Sequence, residues 1–492
     1  MTRPMVKLLA SAALSAFMLG GCATFDGLRE QARERLHIEP APVAAQIALA
    51  APAPAPKWAE PAPERLAITD WVSQIGGAEL TALIDEALAA NTNIGSSKAR
   101  LDAARAAAIS ARSGKLPNVS LGGRASHSEF GNDRIGDSNS HSIGPSVSWE
   151  PDVWGRINDR AKAGEIEVAA STADYAAARL SIAGQTAQSW LDLIEARLLL
   201  ALSQKNLQTQ ERALALTQRR FEGGVTSASD VRLSRSSVAS AQASLASREQ
   251  FRAISARRLE ILLRRYPDAT IGAATDLPPL RALSGAGAPR DILARRPDLL
   301  AAEQRLAAQG LQIDIARKAL LPRLSLSADG NLSSGDFLGL FKIDALVANL
   351  ASNLTAPIFN GGALKADVAR NEAVLRGQVE SYAGAVMGAY MDVENALDAE
   401  RRLKQREAAL RVSLTEAQKA EEILARRYAQ GLASILQLLD AQSRAINSES
   451  ALIGARKERL ASRVRLHLAL GGGDLGDVSL AQNTQFPSDY SQ

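Results

Sequence analysis

An internal duplication constrains the fold of this chain more than any other feature of its 492 residues. Three segments of the first half recur in the same order in the second half, at offsets of 205, 206 and 207 residues. The pairs are ARSGKLPNVSLGG (111–123) with ARKALLPRLSLSA (316–328), WEPDVWGRI (149–157) with TAPIFNGGA (355–363), and RRFEGGVTSASDV (219–231) with RRYAQGLASILQL (426–438). Such self-similarity predicts two repeats, which we place at residues 64–290 and 291–475.

Each repeat contains a long tract that favours helices. No proline occurs between Pro151 and Pro267 or between Pro357 and Pro487, and Ala, Leu, Arg, Glu and Gln are abundant there. Apolar residues recur every seven positions, which indicates helices that supercoil on their neighbours. They are Leu193, Leu200, Leu207, Leu214 and Phe221, then Leu403, Leu410, Ala417 and Leu424. One helix over 156–221 would be roughly 100 Å long, and several shorter helices in a globular bundle are the alternative.

Glycines interrupt both tracts about two thirds of the way along. Gly223 and Gly224 interrupt the first tract, and Gly431 interrupts the second. Glycine allows the left-handed residue that ends a helix, and a following Ser or Thr can cap the next one. We therefore expect one helical hairpin in each repeat. The predicted hairpins span about 156–265 with a tip at 222–229, and about 361–470 with a tip at 429–435.

Four short segments alternate between apolar and polar residues with the period of a β-strand. We predict strands at about 117–130, 141–151, 322–334 and 345–358. A membrane β-barrel needs this pattern, although a soluble half-buried hairpin produces it too. Four strands cannot close a barrel in lipid, where single-chain barrels begin at about eight strands and open edges are not viable. If these strands cross a bilayer, several chains must share one barrel.

The N-terminus has the features of an export signal that ends at the single cysteine of the chain. Arg3 and Lys7 precede an uncharged apolar run, so residues 1–21 are predicted to be a signal peptide. Leu19-Gly20-Gly21-Cys22 resembles the bacterial lipobox, which implies acylation of Cys22; an ordinary signal peptide with a chance cysteine is the alternative. Ala23 in place of Asp implies transfer to the outer membrane.

The remaining terminal segments are predicted to lie outside the folded body. Residues 22–63 would form a lipid-anchored N-terminus followed by a tether, because residues 40–63 are rich in Pro and Ala. We expect this stretch to be extended and polyproline-like, without a helix. Residues 476–492 are predicted to form a C-terminal tail.

Composition excludes several functional classes. Removal of residues 1–21 lowers the formal charge from +4 to +2, because Arg3 and Lys7 leave, and this argues against nucleic-acid binding driven by net charge. One cysteine cannot form an internal disulfide. The four histidines have no metal-ligand spacing, and no glycine motif indicates a phosphate loop. They are His37, His127, His141 and His467. We therefore predict no metal, no cofactor, no catalytic residue and no enzymatic activity.

Two stretches carry a family resemblance. Residues 291–326, DILARRPDLLAAEQRLAAQGLQIDIARKALLPRLSL, and residues 428–442, YAQGLASILQLLDAQ, resemble the TolC-like outer-membrane efflux factors. The resemblance is to the acylated branch that serves resistance–nodulation–division pumps. Its signature residues here are Arg296, Pro297, Asp298, Ala302, Glu303 and Pro322.

This resemblance implies a mainly α fold with a small β part. Three protomers would each give four strands to a shared 12-stranded membrane β-barrel, and their coiled-coil hairpins would form a periplasmic α-barrel. The implied function is a passive outer-membrane exit duct for small toxic compounds. Its partners would be a periplasmic adaptor (membrane fusion) protein, an inner-membrane proton-driven pump and outer-membrane lipid.

Two other functions remain open at the level of sequence. A periplasmic adaptor or scaffold lipoprotein also uses long helical hairpins, although adaptors usually carry one hairpin and not two. A protein-secretion exit duct is the other alternative, although ducts of that sort commonly lack the acylated cysteine.

The resemblance also places a periplasmic gate at the two hairpin tips. Asp440 and Asp230 match acidic gate positions, whereas Gln437 stands where other members carry Asp. Tyr428 and Arg427 are candidates for polar links that hold the tips closed. The alternative for both aspartates is that they stabilise helix N-termini through the helix dipole. A carboxylate ring in a narrow pore would favour cations.

Overall fold

The computed structural model describes residues 43–50, 54–60, 71–129, 138–281, 286–335, 337 and 346–472. The helices are α1 Val43–Ala50, α2 Trp71–Ala90, α3 Thr92–Ser113, α4 Arg156–Glu222, α5 Ala228–Leu262, α6 Pro297–Lys318, α7 Ala363–Ala429 and α8 Ile435–Ala469. The strands are β1 Asn118–Ser128, β2 Ser138–Trp149, β3 Arg323–Ser334 and β4 Leu346–Thr355. The predicted signal peptide, Cys22 and the predicted tail lie outside the described residues.

The two helical hairpins match each other in length. Helices α4 and α7 each contain 67 residues, and helices α5 and α8 each contain 35. A continuous helix of this length corresponds to roughly 100 Å at 1.5 Å per residue, so the alternative of several short helices is wrong. None of the described helices carries an apolar stretch long enough to cross a membrane.

The chain divides into two compact units that do not coincide with the two repeats. The first unit comprises Met1–Ala51, Leu101–Ser171 and Ala302–Ala383, and the second comprises Pro52–Arg100, Thr172–Ala301 and Gly384–Gln492. Each unit therefore takes material from both repeats. The physical reason is that one hairpin or one pair of strands cannot bury its apolar side alone and packs against its counterpart.

The first unit contains a four-stranded antiparallel sheet in the order β1-β2-β3-β4. The central pair, β2 with β3, joins the two repeats, and Trp149 lies opposite Leu326 in its register. Strands β1 and β4 form the two edges, so each pairs on one side only within the described sheet.

One face of this sheet is apolar and the other is polar, because side chains alternate along each strand. Val119 lies opposite Val147 on the apolar face, and Leu121 and Leu350 there are 75% and 84% exposed. Apolar surface of this extent on a sheet indicates a membrane or a partner.

The opposite face of the sheet carries hydroxyl, amide and carboxylate groups. The Oγ atoms of Ser120 and Ser146 lie 2.8 Å apart. Oδ2 of Asp329 accepts hydrogen bonds from Asn331 at 2.9 Å and Asn349 at 3.0 Å. The sheet is therefore amphipathic in the sense that the sequence alternation predicts.

Polar contacts join parts of the first unit next to the sheet. Lys318, the last residue of α6, forms a buried ion pair with Asp159 of α4. The indole Nε1 of Trp154 donates to the backbone oxygen of Pro322 at 2.6 Å, one residue before β3 begins. These contacts fix the positions at which the chain leaves a helix and enters a strand.

The second unit contains the main apolar core. Leu80 of α2, Trp190 of α4, Leu259 of α5 and Val464 of α8 are all fully buried in one cluster. The indole Nε1 of Trp190 donates to Oε1 of Glu79 at 3.0 Å, so the buried ring keeps its polar atom paired.

The extended tether predicted for residues 40–63 is wrong in one segment. Val43–Ala50 forms helix α1. The nine residues between Pro42 and Pro52 contain no proline and are mostly Ala, Leu, Ile and Gln, which are adequate helix formers. The prolines that flank the segment limit the helix without preventing it.

A network of arginines and carboxylates joins α7 to α8 in the second unit. Glu400 accepts hydrogen bonds from Arg463 Nη2 at 2.7 Å and from Arg459 Nη2 at 2.9 Å. Arg459 Nη1 also donates to Glu407 at 2.9 Å. Burial raises the pKa of Glu400, but the hydrogen bonds from Arg463 and Arg459 outweigh it and hold this pKa below its ordinary value.

We therefore expect Glu400 to contribute an acid-sensitive part of the stability. A lowered folded-state pKa gives stability that is fully present above the pKa of an unfolded Glu, about 4.3, and is lost as the pH falls through the folded pKa. Glu400→Gln should lower the melting temperature at pH 7 and flatten its decline toward acid pH, measured by thermal unfolding in detergent. Glu416→Gln, at an exposed pair with Lys419, is the control and should change neither. An unchanged acid limb in Glu400→Gln would contradict the assignment.

Candidate functional site at the hairpin tips

The two tips are built by the same backbone turn. Gly224 and Gly431 have φ angles of 73° and 82°, a left-handed conformation that favours glycine. The amide of Val225 donates to Arg220 O at 2.8 Å, and the amide of Leu432 donates to Arg427 O at 2.8 Å. Gly223 is not among the residues with positive φ; its amide donates to Arg219 O at 3.1 Å. The left-handed position of each turn is therefore Gly224 or Gly431.

Matching capping boxes start the helix after each turn. The amide of Asp230 donates to Ser227 Oγ at 3.2 Å, and the amide of Ser227 donates back to Asp230 Oδ2 at 3.1 Å. The amide of Gln437 donates to Ser434 Oγ at 3.3 Å, and the amide of Ser434 donates to Gln437 Oε1 at 3.0 Å. Gln437 thus makes the same cap as Asp230, because a neutral amide oxygen accepts the bond as a carboxylate does.

Stabilisation of a helix N-terminus, the alternative role for both aspartates, applies to Asp230 but not to Asp440. Hydrogen bonds from Thr226 Oγ1 and from the Ser227 amide lower the pKa of the Asp230 carboxyl. Asp440 lies beyond the first turn of α8, which contains no acidic residue. It is 59% exposed and pairs with Arg444 Nε at 2.9 Å, one helical turn away. Asp440 is therefore a solvent-facing carboxylate that takes no part in the helix cap.

Tyr428 links the two hairpins at their tips. Its ring is buried, and its hydroxyl lies 2.8 Å from Thr217 Oγ1. Ser234 Oγ extends the chain of hydroxyls, at 3.3 Å from Thr217 Oγ1. The guanidinium of Arg220 lies 4.7 Å from the ring centroid and its Nη1 donates to Tyr428 O. Hydroxyl bonds and a cation–π contact together hold the second tip against the first.

Apolar contacts surround this link. Ala213 of α4 packs with Tyr428, Ile435 and Leu438 of the second hairpin in one buried cluster. The two hairpins therefore meet here through a small core with one polar element in it.

Arg427 stands apart from this link. Its side chain is exposed and makes no hydrogen bond or ion pair with any described residue. Arg220 and Thr217, which the sequence analysis did not single out, make the contacts instead. The duplication carries a signal for Arg220, since it is the counterpart of Arg427 at the 207-residue offset.

The signature residues lie elsewhere, at the start of α6 and before β3. Pro297 is the first residue of α6, where a missing amide proton costs nothing. Arg296 binds both oxygens of Asp298, at 3.1 and 2.8 Å, and reaches Asp392 Oδ2 of α7 at 3.0 Å. Burial raises the pKa of Asp298, and the Arg296 hydrogen bonds bring it below its ordinary value.

The other three signature residues do not share this contact. Glu303 is exposed and Ala302 is half-buried, and the carbonyl of Pro322 accepts the Trp154 indole described above. Four of the six residues (Arg296, Pro297, Asp298 and Pro322) thus make fold-building contacts, at two places in the chain. The structure brings none of the six to the hairpin tips.

We expect Tyr428→Phe to loosen the tips without unfolding the chain. One buried hydrogen bond contributes about 0.5–1.5 kcal/mol, so amide hydrogen exchange at residues 223–232 and 430–437 should accelerate by up to about tenfold. Thr217→Val should accelerate exchange at least as much, because it also removes the acceptor of Ser234 Oγ. Adding Tyr428→Phe to Thr217→Val should accelerate it no further, since the shared bond is already lost. Tyr266→Phe, at a tyrosine 83% exposed, is the control. Equal exchange in Tyr428→Phe and the parent would show that the hydroxyl does not hold the tips.

Comparisons with known proteins agree with this architecture. The sequence pattern of the outer membrane efflux protein family matches residues 83–263 and residues 288–472. The chain is 32% identical over 431 residues to the pyoverdine export outer membrane protein OpmQ of Pseudomonas aeruginosa, which covers 82% of this chain and 88% of OpmQ. It is 31% identical over 477 residues to the antibiotic efflux pump outer membrane protein ArpC of Pseudomonas putida, and the alignment covers 95% of this chain and 96% of ArpC.

A solved structure shares the fold. The open state of the MtrE outer membrane channel of Neisseria gonorrhoeae superimposes with a TM-score of 0.73 at 27% identity, covering 86% of this chain and 97% of MtrE. The matched ranges include both helical hairpins and all four strands. The chain therefore belongs to the outer membrane efflux protein family.

Proposed function

We propose that this chain is the passive outer-membrane exit duct of a tripartite efflux pump, and that it exports small toxic compounds without catalysis of its own. The observation that carries the proposal is that both halves of the duplicated body match the outer membrane efflux protein family. The paired hairpins and the amphipathic sheet support it, because a duct needs a long wall and a membrane-facing surface.

We propose that three copies assemble into the duct. The four strands present an apolar face to their surroundings and leave β1 and β4 as edges. Backbone groups at a strand edge in lipid need partners, so each edge must pair with another copy. Three copies supply twelve strands, an even number within the range of membrane barrels.

The proposed location is the outer membrane, with Cys22 acylated and the hairpins in the periplasm. Its proposed partners are a periplasmic adaptor and a proton-driven inner-membrane pump, because a duct has no energy source of its own. The adaptor alternative has less support, since this chain carries two hairpins of equal length and its relatives are outer membrane proteins. Asp440 and the Tyr428 link form the proposed gate at the tips.

A deletion strain tests the proposed function directly. Loss of the gene should sensitise the source bacterium to some members of a panel of dyes, detergents, antibiotics and plant-derived toxins, and the wild-type gene should restore resistance. Membrane fractionation should place the protein in the outer membrane, whereas an adaptor would accompany the inner membrane. Unchanged sensitivity across the panel, with the protein in the inner membrane, would reject the proposal.

We expect Asp440 to control ion flow through the closed tips. Asp440→Ala should raise single-channel conductance in planar bilayers and lower cation selectivity, because it removes the proposed carboxylate ring. Arg444→Ala frees the carboxylate from its partner and should raise cation selectivity. If both variants had the same closed current and the same ion selectivity as the parent, Asp440 would not be part of the gate.

A further inference from the structure

We propose that Phe221 of a second copy of this chain inserts into a groove formed by Leu424, Arg427 and Ala441. This inference rests on the trimer of the proposed function and names one contact between its copies. The Phe221 contact would be the counterpart, at the 207-residue offset, of the contact that Tyr428 makes inside one chain.

The groove that is filled within the chain lies on the first repeat. Thr217, Arg220 and Ser234 form it, and Tyr428 of the second repeat occupies it. At the 207-residue offset, the counterparts in the second repeat are Leu424 for Thr217, Arg427 for Arg220 and Ala441 for Ser234.

The two tips have the same local backbone, so the counterpart groove has the same frame. Helices α4 and α7 end at the same relative position, the left-handed glycines correspond, and both following helices begin with a capping box. A duplicated wall that closes by rotation presents the same interface twice per chain, once within the chain and once between copies. The between-copy interface then places the first repeat of one copy against the second repeat of the next.

Of the side chains on the counterpart surfaces, Phe221 and Arg427 are exposed, Leu424 is half-buried and Ala441 is already buried within one chain. Phe221, the counterpart of Tyr428, is 46% exposed at the end of α4. Arg427 makes no side-chain hydrogen bond or ion pair with any residue that the structure describes. It can therefore lie over a phenyl ring and donate to its backbone oxygen, as Arg220 does with Tyr428.

The chemistry of each groove matches its own occupant. Thr217 and Ser234 offer hydroxyls, and their occupant Tyr428 carries a phenol. Leu424 and Ala441 offer no hydrogen-bonding side chain, and their counterpart occupant Phe221 lacks the hydroxyl. A phenylalanine in the apolar groove leaves no buried polar group unpaired, which a tyrosine there would do.

The neighbouring helix faces extend the same pattern. Gln442, Ala445 and Ile453 of α8 are buried, and Ile453 packs on Leu199 and Leu202 of α4. Their counterparts on α5 are Arg235, Val238 and Ala246, of which Arg235 and Ala246 are exposed and Val238 is half-buried. The face of α5 that would meet α7 of a second copy is thus largely uncovered in a single chain. It belongs to the same proposed interface as the Phe221 contact.

Paired cysteines test the contact in the full-length protein in detergent. Phe221→Cys with Leu424→Cys should give covalent dimers and trimers on denaturing gels after treatment with a short bismaleimide cross-linker, several-fold above either single variant. A cross-linker is needed because the aromatic ring that fills this space in the parent keeps the two backbones farther apart than a disulfide can span. The matched pair Thr217→Cys with Tyr428→Cys should link within one chain and leave the mass monomeric. Cys22 is present in every variant, so the single variants show any bonds that it forms.

Native mass spectrometry separates the possible failures. A trimer whose Phe221–Leu424 pair does not cross-link would overturn this contact and leave the proposed duct standing. A monomer would overturn the proposed trimer itself.

A second set of variants avoids reliance on cysteine chemistry. Phe221→Tyr should lower the temperature at which the trimer dissociates, because it buries a hydroxyl in an apolar groove. Addition of Leu424→Thr should restore that temperature by recreating the Tyr428–Thr217 pair. A Phe221→Tyr trimer as stable as the parent, or no recovery in the double variant, would contradict the contact.

Discussion

The structure depends on one constraint: neither repeat can bury its apolar side alone. A single hairpin of 67 and 35 residues has no interior, so its apolar residues need a second hairpin. Trp190, Leu259 and Val464 meet in one core although they come from both repeats. The same requirement acts in the sheet, where β2 of the first repeat pairs with β3 of the second. The compact units cut across the duplication for this reason.

The hairpin tips show how a duplicated frame acquires different chemistry. Backbone turn, left-handed glycine and capping box are the same in both repeats. Each turn ends a helix of 67 residues and begins one of 35 residues. The side chains at the corresponding positions differ, with a buried tyrosine (Tyr428) in the second repeat and an exposed phenylalanine (Phe221) in the first. With the proposed contact between copies, the tip interface within a chain would be polar and the one between chains apolar, so each could be strengthened or weakened separately.

The sequence predicted the helices and strands well, because their signals are local. Proline-free tracts interrupted by glycine predict the hairpins, and two-residue alternation predicts the strands. Strand β4 stops at Thr355, before Pro357 removes an amide donor. Arg220 was missed because its role depends on Tyr428, which is 208 residues away. Helix α1 was not predicted because the high proline content of residues 40–63 favours an extended chain. The helix lies in the nine residues between Pro42 and Pro52, which contain no proline. Contacts that join distant parts of the chain leave little trace in local periodicity.

The two edges of the sheet have a genetic consequence. Strand β1 belongs to the first repeat and β4 to the second, so in the proposed ring each copy would join the next through unlike edges, a heterologous interface that closes only when every member is competent. One copy with a damaged edge would leave unpaired backbone in lipid and spoil the whole ring. A cell that makes normal and damaged copies in equal amounts would therefore hold few intact rings, and an edge-strand defect should be dominant over the normal gene.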